Sequence, residues 1–182
     1  MGEKIVFLKN FIKEPRIIGS VIPSSKKLSK KMADQIDYNN AKCIIELGPG
    51  VGPYTDIILK KKKSSTKYFA FEKNNDMANI LKKKFPNIKI YNKAEQMTDI
   101  LKNDKIKDID YIISGLPFTV LEKNIRNSIL EQSYDNLEKG GKFITFQYSL
   151  DLYKYLKNRY SKVELKFVPL NIPMTFVYVC TK

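Results

Sequence analysis

The order of apolar and amphipathic segments predicts an α/β fold: a seven-stranded, mostly parallel sheet with helices on both faces and a C-terminal antiparallel strand pair. Two patterns carry this expectation. From residue 41 onward, short apolar runs alternate with amphipathic stretches, and the connections between them are short, as strand–helix–strand units require. The chain has 182 residues, 43% of them hydrophobic, enough for one sizeable core. One compact domain is expected, with residues 1–40 as an N-terminal helical segment and 41–182 as the α/β unit.

Each element follows from local pattern. Residues 43–47 read as a buried strand and 53–62 as a helix, with Pro53 in the first turn where its missing N–H costs nothing. Residues 68–71 form a second strand. A helix over 75–85 places Met77, Ile80, Leu81 and Phe85 on one side, ahead of a strand at 88–91 and a short helix at 95–101. Residues 110–113 are the fourth strand. A longer helix over 121–137 is expected to close at Gly140-Gly141, with 142–147 as the fifth strand. After a helix at 150–160, residues 163–168 and 175–180 form the closing antiparallel pair.

Composition removes whole classes of chemistry. The chain contains no His, which excludes Ser-His-Asp and Cys-His catalysis and histidine-ligated metals. Its two cysteines, Cys43 and Cys180, lie far apart in apolar stretches and read as reduced core thiols. No metal site is expected. The first fifteen residues interrupt their apolar positions with Lys9 and Lys13, unlike a secretory signal, so a cytoplasmic location is expected. A net charge of +14 favours polyanionic partners, nucleic acid or an anionic membrane surface, although much of it reads equally as solvated helix ends. Only Arg16, Arg126 and Arg159 are arginines, which favours diffuse surface attraction over base-specific reading. Residues 4–13 form a basic amphipathic helix, with Ile5, Leu8 and Ile12 on one side beside Phe7 and Phe11. Such a helix packs on the sheet or lies among lipid head groups on the inner face of the membrane.

The chemistry is expected just beyond the carboxyl ends of the strands. The first strand runs through Glu46 into Gly48, Gly50 and Gly52, glycines that permit a tight turn and close approach of a ligand to a helix N-terminus. The second strand ends in Glu72, twenty residues after Gly52, where a carboxylate accepts hydrogen bonds from both ribose hydroxyls.

These residues resemble the class I S-adenosylmethionine-dependent methyltransferases, a Rossmann-like family. The resemblance implies S-adenosylmethionine as cofactor, with Glu46 near its amino acid end and Glu72 on its ribose. Lys73 adjoins this set, and the loop Asn92-Lys93-Ala94-Glu95 would read the adenine, with Glu95 standing in for the Asp that relatives carry at Lys93. Ser114-Gly115-Leu116-Pro117-Phe118 is similar to the Asn-Leu-Pro-Tyr/Phe motif of ribosomal RNA adenine dimethyltransferases, whose Asn and aromatic ring hold a flipped-out adenine. Here the Asn position is Gly115, and only residues 148–182 follow the fifth strand, where those enzymes carry a helical domain.

A wider resemblance is to bacterial phospholipid N-methyltransferases. Phe7-Leu8, Pro15, Gly19, Pro23-Ser24-Ser25, Leu28 and Met32 match that family's opening. Ser114 to Pro117, Gly140-Gly141, Phe146-Gln147-Tyr148, Asn171-Ile172-Pro173 and Val177-Tyr178 match further along, while Met174 and Thr175 stand where members have Pro and Ala. This implies a lipid head-group amine as methyl acceptor, with RNA adenine as the alternative and a cofactor-binding fold that acts on a small molecule or is catalytically inactive as a further one. Tyr148 and the backbone at Ser114 and Gly115 would steer or accept the proton, although Tyr148 also reads as a core aromatic. Leu116, Pro117, Phe118, Ser24 and Ser25 would line the acceptor site; the two serines read equally as caps of the helix that follows.

Overall fold

The computed structural model describes residues 23–168 and 175–182. Residues 4–13 and 171–174 lie outside the described residues, as do the side chains of Ser24 and Ser25.

Seven strands form one sheet in the order β3-β2-β1-β4-β5-β7-β6. These are β1 (Cys43–Leu47), β2 (Lys67–Phe71), β3 (Lys89–Tyr91), β4 (Ile109–Ser114), β5 (Leu137–Gln147), β6 (Lys162–Val168) and β7 (Thr175–Thr181). The first five run parallel, and β7 lies antiparallel between β5 and β6. The predicted architecture therefore holds, including the C-terminal antiparallel pair.

Among the described residues six α-helices cover the two faces: α1 (Pro23–Ala33), α2 (Pro53–Lys61), α3 (Asn75–Lys84), α4 (Met97–Asn103), α5 (Lys123–Asn136) and α6 (Tyr153–Arg159). Alternation along the strands divides the core. Ile44, Ile113, Ile144 and Val179 face α1–α3 and pack with Leu28, Met32, Ile58 and Leu81. Ile45, Ile112, Phe143 and Cys180 face α4–α6 and pack with Met97, Leu101, Ile129 and Leu156. All five residues of β1 are buried, since this strand has neighbours on both sides and helices above and below. Cys43 and Cys180 are free and buried.

Several boundaries differ from the sequence expectation. Helix α5 stops at Asn136, with Leu137 already extended, and β5 begins there rather than at Lys142. Gly140-Gly141 lies inside β5, not at a helix end. Pairing with β4 skips from Ile109↔Leu137 to Tyr111↔Lys142, so the glycines sit in a bulge. Gly140 has φ +81°, and a side chain at Gly141 would meet backbone oxygens of Glu138 and Asp110 at 2.9 and 3.1 Å. Helix α6 starts at Tyr153, nearly a full turn later than residue 150, because residues 149–152 form the turn out of β5. Residues 94–96 are a single 3₁₀ turn ahead of α4.

Candidate functional site

The sheet reverses its winding at β1, which has β2 on one side and β4 on the other; the open crevice of such a sheet lies above this point. Register brings the carboxyl ends level. Leu47 pairs with Phe71 and with Ser114, so Gly48, Glu72 and Gly115 emerge together. Backbone bonds stitch them: Gly48 N–H donates to Phe71 O at 2.8 Å and Gly115 N–H to Leu47 O at 2.8 Å.

The glycine loop uses its glycines. Gly48, Gly50 and Gly52 have φ of +67°, +58° and +85°, the left-handed region that L side chains rarely adopt. At Gly48 a Cβ would stand 2.6 Å from Leu116 Cδ2, and at Gly52 it would stand 2.8 Å from Leu81 Cδ1. Gly50 is different, since among the described residues only Met77 Sδ, at 3.9 Å, lies within 4 Å of that point. Pro53 then starts α2, as expected, with Gly52 as its N-cap.

Glu72 closes on this loop. Its Oε2 accepts from Gly50 N–H at 2.9 Å and its Oε1 from Asn74 N–H at 2.8 Å. The residue is 7% exposed, and each oxygen keeps a lone pair for a further donor. An open cradle at Gly50 beside an anchored carboxylate fits a ligand with a sugar diol. Lys73 and Lys93 are exposed and Ala94 is buried. Glu95 is half-buried, and its carbonyl accepts from Gln132 Nε2 at 2.6 Å, which ties the turn after β3 to α5.

Glu46 points the other way, beneath α2. Its Oε2 accepts hydrogen bonds from Thr55 Oγ1 at 2.9 Å and from the Tyr68 hydroxyl, while buried Oε1 has no partner. Burial pushes this carboxyl up to about 7, against the pull of the two hydroxyl donors. Glu46 thus joins β1, β2 and α2 under the glycine loop.

On the acceptor side, Ser114 is fully buried, and its Oγ accepts from Leu116 N–H at 3.2 Å. Leu116 and Pro117 are half-buried. Leu116 O accepts from Gln147 Nε2 at 3.3 Å, tying the end of β5 to this loop. Phe118, expected to stack on a substrate, is fully buried and meets the Phe143 ring edge-on at 6.1 Å, so its ring belongs to the core. Gly115 has no room for a side chain. A Cβ there would meet Gly48 O at 2.8 Å and Tyr54 Cε2 at 3.3 Å. Tyr54, in the first turn of α2, is a site neighbour that sequence reasoning misses; its place directly after the glycine loop is the available signal. Tyr148 is half-buried, edge-on to Phe146 at 5.6 Å, and burial pushes its phenol up to about 12.

A glycine loop at the switch point is where such a sheet holds a ligand, and the family match makes the chain an S-adenosylmethionine-dependent methyltransferase with S-adenosylmethionine as its cofactor. The chain belongs to the ribosomal RNA adenine dimethylase family, whose model matches residues 10–158. It is 28% identical to the ornithine lipid N-methyltransferase of Singulisphaera acidiphila, over 99% of this chain and 96% of that protein. It is 31% identical to ribosomal RNA small subunit methyltransferase A of Borrelia garinii subsp. bavariensis over 71% of this chain, which spans 47% of that relative. The match to the RNA enzymes thus covers about half their length. Among solved structures, the fold resembles an O-methyltransferase from Bacillus cereus in complex with SAH (TM-score 0.68, 14% identity, 96% of this chain and 90% of that one). It also resembles an rRNA methylase from Streptococcus thermophilus (TM-score 0.62, 16% identity, 86% and 94%).

Proposed function

We propose that this enzyme methylates the head-group amine of a membrane lipid, of the phosphatidylethanolamine or ornithine lipid type. The observation that carries the reading is Gly115. Where the RNA adenine motif places an Asn amide, a Cβ would already stand 2.8 Å from Gly48 O, and the Tyr54 ring fills the adjoining space. No amide is present there to orient an exocyclic adenine amine, and the aromatic partner of that motif, Phe118, is committed to the core. The end-to-end similarity to a protein named as an ornithine lipid N-methyltransferase supports the same reading.

In this proposal Glu72 accepts the ribose hydroxyls, the Gly48–Gly52 loop cradles the amino acid end, and Lys73, Ala94 and Glu95 border the adenine. Bound S-adenosylmethionine supplies a methyl carbon made electrophilic by its sulfonium. The residues of the chain then hold the acceptor nitrogen in line and exclude water. An alkyl amine with a pKa near 10.4 must lose its proton first, which costs about 4 kcal/mol near pH 7.4. Tyr148 stays a neutral phenol at that pH, as any tyrosine does, and burial pushes it further from ionisation. It therefore steers the amine through an oxygen lone pair, with the backbone at Ser114 and Gly115 as the second contact, and the proton leaves to water. Leu116 and Pro117 border the acceptor, with Ser24 and Ser25 assigned to it by the family resemblance alone, and the basic, apolar sequence of residues 4–13 suits contact with an anionic bilayer.

The test is transfer of labelled methyl from S-adenosylmethionine to liposomes containing phosphatidylethanolamine or ornithine lipid, with ribosomal RNA as competing acceptor. Label in the lipid fraction is expected. Label in RNA alone overturns the reading and makes Gly115 a tolerated variant of an adenine site.

A further inference from the structure

At the carboxyl end of β5 the sheet leaves an apolar surface uncovered on the face of α4–α6. Phe167 is 48% exposed, Leu150 49% and Leu165 39%, the large hydrophobic side chains most open to solvent among the described residues. Register gathers them. Phe167 pairs across the strands with Phe176, and their rings lie 5.7 Å apart; Phe176 in turn pairs with Gln147, the last residue of β5. Leu165 pairs with Tyr178, whose hydroxyl donates to Ser149 O at 2.9 Å and so holds the turn bearing Leu150 against β7. The patch therefore begins at the carboxyl end of β5, on the face opposite Tyr148, which packs on the α1–α3 side.

Its surroundings say what kind of surface it meets. Lys154 and Lys157 are exposed on α6, directly after the Leu150 turn, in a chain with 33 basic and 19 acidic residues. Asp151, the carboxylate within that turn, is engaged by Ser149 Oγ at 2.7 Å. Apolar side chains flanked by lysines match the boundary between acyl chains and anionic head groups. A second copy of the chain is a poorer match, since a few partly exposed side chains fall well short of the roughly 800 Å² per partner that a stable interface needs.

We propose that Leu150, Leu165, Phe167 and Phe176 insert into an anionic lipid surface and hold the carboxyl end of β5 against the bilayer. The inference rests on the lipid-methylating reading above.

The chain has no Trp, so Phe167→Trp in the full chain places a single fluorescent reporter in the patch. Vesicles of phosphatidylethanolamine and phosphatidylglycerol should shift its emission to the blue, and brominated acyl chains should quench it. Leu150→Asp with Phe167→Asp should weaken vesicle binding at least about tenfold while leaving S-adenosylmethionine affinity unchanged. Emission already blue in buffer would mean that the chain or a second copy covers the patch. Emission unchanged on vesicles that carry the protein down would place the membrane contact elsewhere; either result overturns the proposal. The two readings fail separately. Lipid that is methylated while the reporter indole stays in water removes only the patch, whereas insertion of the indole with label in RNA alone removes only the lipid substrate.

Discussion

Glu46 and Glu72 stand at the ends of adjacent strands and do opposite work. Glu72 is anchored by two backbone N–H groups, and each of its oxygens keeps a lone pair for a further donor. Glu72→Ala should weaken S-adenosylmethionine binding by about 1–3 kcal/mol, the scale of hydrogen bonds to charged groups, and calorimetry reads it directly. Glu46 is buried with one oxygen unpaired, and its carboxyl sits at about 7 rather than the 4.5 of an exposed Glu. A raised acid stabilises the fold below its unfolded pKa, and that contribution is lost as pH rises through the folded value. Between pH 4.5 and 7 the loss comes to roughly 3 kcal/mol, from about 2.5 pH units at about 1.36 kcal/mol each. Glu46→Gln cannot ionise, so its stability relative to the parent should improve by that order between pH 5 and pH 8 in denaturant titrations. A difference that does not change with pH would show Glu46 ionised throughout. The sequence made the glycine turn and the place of Glu72 beside it legible, because both follow from spacing after parallel strands. It did not reveal which way Glu46 points, since that depends on Tyr68 and Thr55 meeting it from other elements.

At the scale of elements, the alternation of strands and helices is readable because each parallel strand is a short apolar run and each helix shows one buried stripe. The end of α5 is where local pattern misleads. A Gly pair after a helical pattern is the ordinary stop signal, and here it serves a bulge whose partners lie on β4 and at the chain's end, with Gly140 N–H donating to Lys182 O at 3.0 Å. Only long-range pairing distinguishes the two. Helix α3 shows the local rule at work: Asn74 is its N-cap, with its side-chain oxygen accepting from Met77 N–H at 3.1 Å. Asn74→Ala should cost about 1 kcal/mol of stability, measured as a fall in Tm. The same residue's backbone N–H holds Glu72 Oε1, so fraying at this cap should also lower cofactor affinity. An unchanged affinity beside a lowered Tm would show that the clasp on Glu72 is independent of the cap.

For the whole molecule, the question is what a net charge of +14 does for an enzyme whose site opens at one edge of a sheet. Among the described residues no helix is long and apolar enough to cross a membrane, and the proposed bilayer contact is one of surface attraction and shallow insertion. Residues 4–13 carry Lys4, Lys9 and Lys13 beside Ile5, Leu8 and Ile12. At about 1 kcal/mol for each lysine held at an anionic surface, these three supply roughly 3 kcal/mol, or about a hundredfold in partitioning. Deleting residues 1–13 should therefore lower flotation with phosphatidylglycerol vesicles by about two orders of magnitude and leave S-adenosylmethionine binding intact. Because the attraction is screened within about 10 Å at 0.1 M salt, raising salt should release the parent protein far more than the truncated one. A truncated protein that floats as well as the parent would assign membrane contact to the folded body, where the Leu150–Phe167 patch is the apolar surface placed to make it.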